Sequence, residues 1–234
     1  MVIREQLLSA VDGLHGVAAA DRLCEACVSA FDVDAAAISL VFDGVNTGTL
    51  GCSDAAARRY DEMQFSLGEG PCLDAVTEQM HILVNDLADL EERRWPMYAL
   101  AMVDLFVRGV FALPVAVGGE SVGALDLFRA RPGPLSRDDH AGAVVAAEIA
   151  GAALLDLLDS DLAAAVANPD SSAWADLHAV SRADVSQATG MLVAQLGIEP
   201  AAALARLRAH AYSSGRSGSE VARDILGGQL TLEP

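Results

Sequence analysis

The sequence predicts an α+β protein, in which an antiparallel sheet packed with helices is followed by a C-terminal bundle of three short helices. Three observations carry this. Helical and strand-like patterns alternate through residues 15–160, Gly118-Gly119 joins two apolar runs as a tight hairpin, and residues 181–226 hold three amphipathic stretches separated by helix-stopping and helix-starting residues.

Taken in order, residues 15–31 place Val17, Leu23, Val28 and Phe31 in a helix-compatible pattern that ends near Asp32. AAAISLVFDG is a strand bounded by Gly44, and residues 47–52 form a second. A helical segment at 55–63 leads into LGEGPCLDAV, where Gly68, Gly70 and Pro71 punctuate a loop and Cys72 to Val76 begin a helix. A further strand and a helix at RRWPMYAL precede the hairpin of strands 110–117 and 122–128, and a long helix opens at Ser136.

From Gly142 that helix presents Val144, Ala147, Gly151, Leu154 and Leu158 at alternating three- and four-residue steps, continuing through Leu162 and Ala165. The stripe has two readings: a heptad-like seam that pairs with a second copy of the chain, or an apolar cover for the sheet. Asn-Pro and two serines at 168–172 mark a break. The expected division is a mixed sheet-and-helix domain at 1–160, a helix end and linker at 161–172, and the helical unit at 173–234.

In the helical unit, Val185, Ala188, Leu192 and Leu196 share one face of the first helix. Leu204, Leu207 and Ala211 do so in the second, and Val221, Ala222, Ile225 and Leu226 in the third. Gly197 closes the first helix, Pro200 opens the second, and Ser217 to Ser219 can cap the third. Away from the core stripe of the first helix lie Arg182, Ser186, Thr189, Gly190 and Val193, a small, bare face that another surface can approach.

Composition narrows the function classes. With 53% hydrophobic and 21% charged residues the chain is globular rather than disordered, and its net charge of -18 opposes indiscriminate binding to nucleic acid. All 15 basic residues are Arg. The acidity is uneven: before Pro169 ten Arg face 26 Asp and Glu, whereas after it five Arg face seven. The C-terminal unit is therefore close to neutral, which suits selective contact through a few arginines. No run approaches the roughly 18 to 20 apolar residues of a membrane span, and the N-terminus lacks an apolar leader core. The expectation is a cytoplasmic protein with no membrane partner, whose four cysteines form no disulfide framework.

Catalytic signatures fail on context. Gly119-Glu120-Ser121-Val122-Gly123 fits a nucleophile-elbow pattern, but its serine runs into a strand rather than a helix. The Cys24-x-x-Cys27 pair lies inside a helix, as two thiols on one buried face. Cys52 and Cys72 are better candidates for a functional thiol; at a helix start, Cys72 would have its pKa lowered by backbone N–H groups. His15, His81, His140, His178 and His210 are in no metal-ligand register, so neither a catalytic nor a metal site is expected. Trp95 and Tyr98 can wall a pocket, with Arg93 and Arg94 near it for an anionic group; the other reading is a helix packed on the sheet with its arginines in water.

Two segments resemble known families. LGEGPCLDAV, VRGVFALPVAVGGESVGALDLFR and PGPLS, spread over about residues 15–160, resemble the GAF domain, a small-molecule sensor module. That resemblance implies a pocket between the sheet and its loops for an unassigned small ligand, with Cys72, Trp95 and Tyr98 as candidate lining and no resident cofactor. Arg182, the run QATGML at 187–192, Ala203, Leu207, Arg208, Ala211, Val221 and Ala222 resemble the ANTAR domain, an RNA-binding module of transcription antiterminators. Thr189 stands where many such domains carry a lysine, which removes one phosphate contact.

The pair is similar to actinobacterial cytoplasmic regulators. It implies a non-enzymatic homodimer that binds hairpin RNA, not DNA, in leader transcripts and promotes read-through of a terminator. The candidate RNA-contacting residues are Arg182, Gln187, Thr189, Gly190, Arg206, Arg208, Tyr212 and Arg216, since arginine grips phosphate or a guanine edge and Tyr212 can stack. The rival expectation is a ligand-gated interaction module whose C-terminal helices dock on a kinase, sigma factor or polymerase.

Overall fold

The computed structural model describes residues 2–42, 44–156 and 182–233. Helices α1 (Val2–Val11) and α2 (Gly16–Ala30) precede strands β1 (Ala35–Phe42) and β2 (Val45–Cys52). Then come α3 (Ala55–Leu67), α4 (Pro71–Glu78), β3 (Ile82–Val84), α5 (Pro96–Asp104), β4 (Gly109–Val117), β5 (Glu120–Arg129) and α6 (Arg137–Asp156). The C-terminal helices are α7 (Ala183–Leu196), α8 (Pro200–Ser214) and α9 (Gly218–Leu226).

The five strands form one antiparallel sheet in the order β2-β1-β5-β4-β3. Because successive side chains point to opposite faces, β1, β4 and β5 each serve two cores, whereas β3 buries Ile82 and Val84 on one face and leaves Leu83 exposed on the other. In β5, Leu125 and Leu127 face the layer of α1, α2 and α6, with Leu23, Phe31, Phe111 and Leu113. Ala124 and Phe128 face the layer of α3, α4 and α5, with Cys72, Tyr98, Met102 and Val110. Both faces of these three strands are covered, which is why they read as nearly continuous apolar runs rather than alternating ones. The three-residue β3 is too short to show periodicity and gains its definition only from pairing with β4.

The apolar stripe of α6 lies on the sheet. Ala147 and Leu154 are buried in the first core, with Val144 packed beside it. A Cβ on Gly151 would come within 2.5 Å of the Ala116 carbonyl oxygen of β4. Of the two sequence readings, the described part of the stripe fits the cover: Val144, Ala147, Gly151 and Leu154 pack on the first core and, among the described residues, leave no free seam. Leu158, Leu162, Ala165, the expected linker at 161–172 and His178 lie outside the described residues.

The three C-terminal helices close a third core from Val185, Ala188, Leu192, Ala203, Leu207, Ala211, Val221, Ala222 and Ile225. Their ends follow local chemistry. Gly197 (φ 64°) and Gly215 (φ 65°) adopt the left-handed conformation that terminates α7 and α8, Pro200 opens α8, and Ser217 with Glu220 forms a reciprocal capping box on α9. One member of this core comes from elsewhere in the chain: Phe65 of α3, 2% exposed.

Gly151→Ala would gain about 1 kcal/mol of helix propensity but must lift α6 from β4. We expect a net loss of about 1–2 kcal/mol, read as a lower urea midpoint.

Candidate functional site

Helix α3 starts where Asp54 accepts a hydrogen bond from Ala57 N at 2.7 Å, and it ends at Gly68. It buries Ala57, Asp61, Gln64 and Phe65. Spacings of three and four residues set these groups on adjoining faces, so Asp61 and Gln64 point to the sheet while Phe65 points to the C-terminal helices.

Asp61 is fully buried, and all its acceptor positions are filled. Oδ1 accepts from Ser39 Oγ at 2.5 Å and Asn46 Nδ2 at 2.6 Å; Oδ2 accepts from Thr49 Oγ1 and, at 3.5 Å, from Arg182 Nη2. Ser39 Oγ also lies 2.7 Å from Oδ2 of Asp126, itself fully buried. One hydroxyl proton cannot serve two carboxylates, so both contacts hold together when Asp126 is protonated and donates to Ser39, which donates to Asp61. The energetics agree: burial, and then the charge of Asp61, push the Asp126 carboxyl up to about 8.

Gln64 extends the network, donating to Asp126 Oδ2 at 3.0 Å and accepting from Cys72 N at 2.8 Å. A Cβ on Gly70 would strike Gln64 at 2.6 Å, and Glu69 accepts from Met97 N and Tyr98 N at 2.7 and 2.9 Å. LGEGPCLDAV therefore locks α3, α4 and α5 together.

Cys72, Trp95 and Tyr98 come together in the second core, buried rather than lining an open wall. Trp95 Nε1 donates to Asp74 at 3.0 Å. Arg94 is committed to Glu92 at 2.5 Å and to the Trp95 ring. The expectation for the Cys72 thiol is reversed. Although it lies in the first turn of α4, complete burial, followed by the charges of Asp126 and Asp61, pushes it well above its ordinary range. Burial also raises Cys24, Cys27 and, less completely, Cys52. Two polar atoms in this interior, Asp126 Oδ1 and the Tyr98 hydroxyl, have no hydrogen-bond partner among the described residues.

Ligand atoms of Asp61, Cys72 and Asp126 lie within 4.8 Å of one another, a set that sequence spacing could not reveal. Since the acceptor positions of Asp61 are already taken, the trio works as a hydrogen-bonded hub rather than a ready metal cage. His81 and His140, 59 residues apart in sequence, also meet, with ring nitrogens at 3.0 Å.

The candidate RNA-contacting residues divide into two groups. Gln187 and Gly190 are exposed on α7, with nothing within 4 Å of a Cβ built on Gly190. Thr189 is half-buried and donates to Val185 O at 2.7 Å. Arg206 is exposed and contacts Glu233 O, Tyr212 is 43% exposed, and Arg216 pairs with Asp224 at 2.7 Å.

Arg182 and Arg208 instead turn inward. Arg182, 8% exposed, donates to Asn46 Oδ1 at 2.6 Å and Glu62 Oε2 at 2.9 Å, and its backbone N donates to Thr47 O at 2.8 Å. Both guanidinium groups lie over the Phe65 ring, at 4.4 and 4.8 Å from its centroid. Beside this contact opens a cleft of about 980 Å³ whose lining includes Arg58, Arg59, Glu62, Tyr212 and Arg216.

A three-layer sheet domain with an enclosed polar hub, joined to a compact helical unit, defines a sensor-type regulator. Comparison makes the class definite: the GAF domain profile matches residues 18–155 and the ANTAR domain profile residues 178–226. The chain belongs to the GAF domain family and has the GAF-ANTAR architecture, a signal-responsive regulator built from two regulatory domains.

Solved structures show the same fold. The GAF domain of an Acinetobacter phosphoenolpyruvate-protein phosphotransferase is 10% identical, with a TM-score of 0.53 over 68% of this chain and 94% of that one. Its counterpart from Coxiella burnetii is 17% identical, with a TM-score of 0.51 over 66% and 91%. Reduced fRMsr of Staphylococcus aureus is 14% identical, with a TM-score of 0.50 over 65% and 93%. No curated protein sequence matches the chain.

The hub makes stability depend on pH. Native Asp126 holds a proton that the unfolded chain, with an ordinary carboxyl near 3.8, releases. This group's contribution therefore falls as pH rises from about 4 to about 8 and levels off above. Thermal melts across that range should show the slope, and Asp126→Asn should flatten it.

Proposed function

We propose that this regulator binds hairpin RNA in leader transcripts and, by stabilising an antiterminator hairpin, lets polymerase read through a terminator. The observation that carries the reading is the outer surface of the ANTAR unit. Ser186, Gln187 and Gly190 leave a bare strip on α7. Arg206 and Tyr212 extend from α8, and the unit is nearly free of the net negative charge that burdens the sensor. A few placed arginines on a neutral surface favour structured RNA over indiscriminate contact, with affinity that falls steeply as salt rises.

The signal enters through the sensor. Asp126 Oδ1 and the Tyr98 hydroxyl are both buried and unpartnered among the described residues; Tyr98 shares a core with Cys72, and the Asp126 carboxyl lies within 4.8 Å of the Cys72 thiol. They can recognise a small polar molecule admitted between the sheet and α3, α4 and α5. The protein acts in the cytoplasm, where transcripts are made; no helix among the described residues is long and apolar enough to cross a membrane. A homodimer pairs through surfaces other than the Ala147–Leu154 stripe, for which the 46%-exposed Leu155 at the end of α6 is available. Light scattering after size exclusion reads that state.

Titration with a two-hairpin RNA at low salt tests the main claim. Arg206→Ala should weaken binding about tenfold, as expected for loss of one charge-assisted hydrogen bond. Binding that is absent at low salt, or co-purification with a protein partner that survives nuclease treatment, would favour the interaction-module reading instead.

A further inference from the structure

We propose that the α3 face formed by Asp61, Glu62 and Phe65 is an internal stand-in for RNA, occupying Arg182 and Arg208 of the ANTAR unit so that sensor and transcript compete for the same two side chains. This rests on the RNA reading above and adds the way that site is regulated.

The chemistry of the contact is that of a nucleic acid. A guanidinium group recognises RNA by bonding to phosphate oxygens and by stacking on an unpaired base. Glu62 gives Arg182 a carboxylate oxygen at 2.9 Å, and Asp61 gives a second at 3.5 Å, in the place of phosphate. Phe65 gives its ring, in the place of a base, to both arginines at once. Glu62 also accepts from Gly218 N at 2.9 Å, at the start of α9, and the Phe65 ring lies 2.4 Å from where a Gly218 Cβ would stand. One turn of α3 thus reaches α7, α8 and α9 together.

The two arginines are not equally satisfied. Arg182 sets its Nη2 against two carboxylates, Glu62 and Asp61, and its Nη1 against the Asn46 amide oxygen, although its Nε, like that of Arg208, has no hydrogen-bond partner among the described residues. Arg208 is half-buried beside Arg182 and, among the described residues, has neither an ion pair nor a hydrogen-bond partner for its Nε. Burial and the neighbouring positive charge both push its pKa down. A phosphate would supply the anion that Arg208 lacks, so the contact is held at Arg182 and poorly held at Arg208. Release at Glu62 removes the nearer of the two carboxylates that hold Arg182 and so shifts the exchange toward RNA. Asp61 links the release to the sensor interior, because the carboxylate that faces Arg182 is also the acceptor for Ser39, Asn46 and Thr49.

The test uses the full chain and a two-hairpin RNA. Glu62→Gln and Phe65→Ala should each bind at least tenfold more tightly than the unaltered protein, whereas Glu5→Gln on exposed α1, which changes net charge equally, should not. Combining Glu62→Gln with Arg208→Ala should abolish the gain. Phenylglyoxal, a reagent for accessible arginine, should modify Arg182 and Arg208 slowly in the unaltered protein and faster in Glu62→Gln, as followed by peptide mass spectrometry. Equal RNA affinity of Glu62→Gln and the unaltered protein overturns the competition and leaves the RNA reading standing. Absence of binding by every variant, even with the two arginines open to the reagent, overturns the RNA reading and the competition with it.

Discussion

Helix α3 carries a carboxylate that it cannot leave in water. Asp61 enters a fully buried position, where an ionised group is tolerated only if its charge is met by hydrogen bonds and a counter-ion. The hydrogen bonds come from β1 and β2, through Ser39, Asn46 and Thr49; the counter-ion comes from the far end of the chain, as Arg182. Satisfying one side chain therefore fixes the sheet, the helix above it and Arg182 of the ANTAR unit relative to one another. Neighbouring Asp126 avoids the same demand by keeping its proton, which places two carboxyl groups around one serine without two buried negative charges.

The remaining architecture follows from covering a sheet on both sides. Once β5 must bury Leu125 and Leu127 on one face and Ala124 and Phe128 on the other, it needs a helical layer on each. The α6 stripe is drawn onto the first face, because Gly151 permits close approach to β4. Helices α3, α4 and α5 close the second. The far side of α3 is left over, and the third core absorbs Phe65 there, so that sensor and reader share a helix rather than merely a linker. Burying the Phe65 ring is worth about 2–3 kcal/mol, comparable with the 1–3 kcal/mol over which an allosteric coupling typically operates. That balance suits a contact that a signal can both hold and break.

Cysteine and ligand chemistry show the same control by environment. A thiol in the first turn of a helix is ordinarily made acidic by the backbone amides, yet Cys72 is moved the other way because its surroundings exclude water and include two acidic side chains. Its role is set by packing and by its place beside the hub, not by nucleophilic reactivity.

What the sequence determined by itself was local: the helices of the C-terminal unit with Gly197, Pro200 and Ser217 at their ends, the hairpin at Gly118-Gly119, the α+β class, and the motifs that mark the GAF and ANTAR segments. Periodicity and capping act over a few residues, so they can be read without the fold. Two readings stayed open there, for the α6 stripe and for the Trp95 helix, because an apolar face does not say what will cover it; in the fold the described residues of both pack inward. The partnership of Asp61 with Arg182, 121 residues apart, of Phe65 with two arginines, and of Asp126 with Ser39 left no trace in spacing. Only tertiary structure decided that the arginines a motif assigns to RNA meet an acidic, aromatic helix first, because burial and charge compensation are properties of surroundings and not of sequence neighbours.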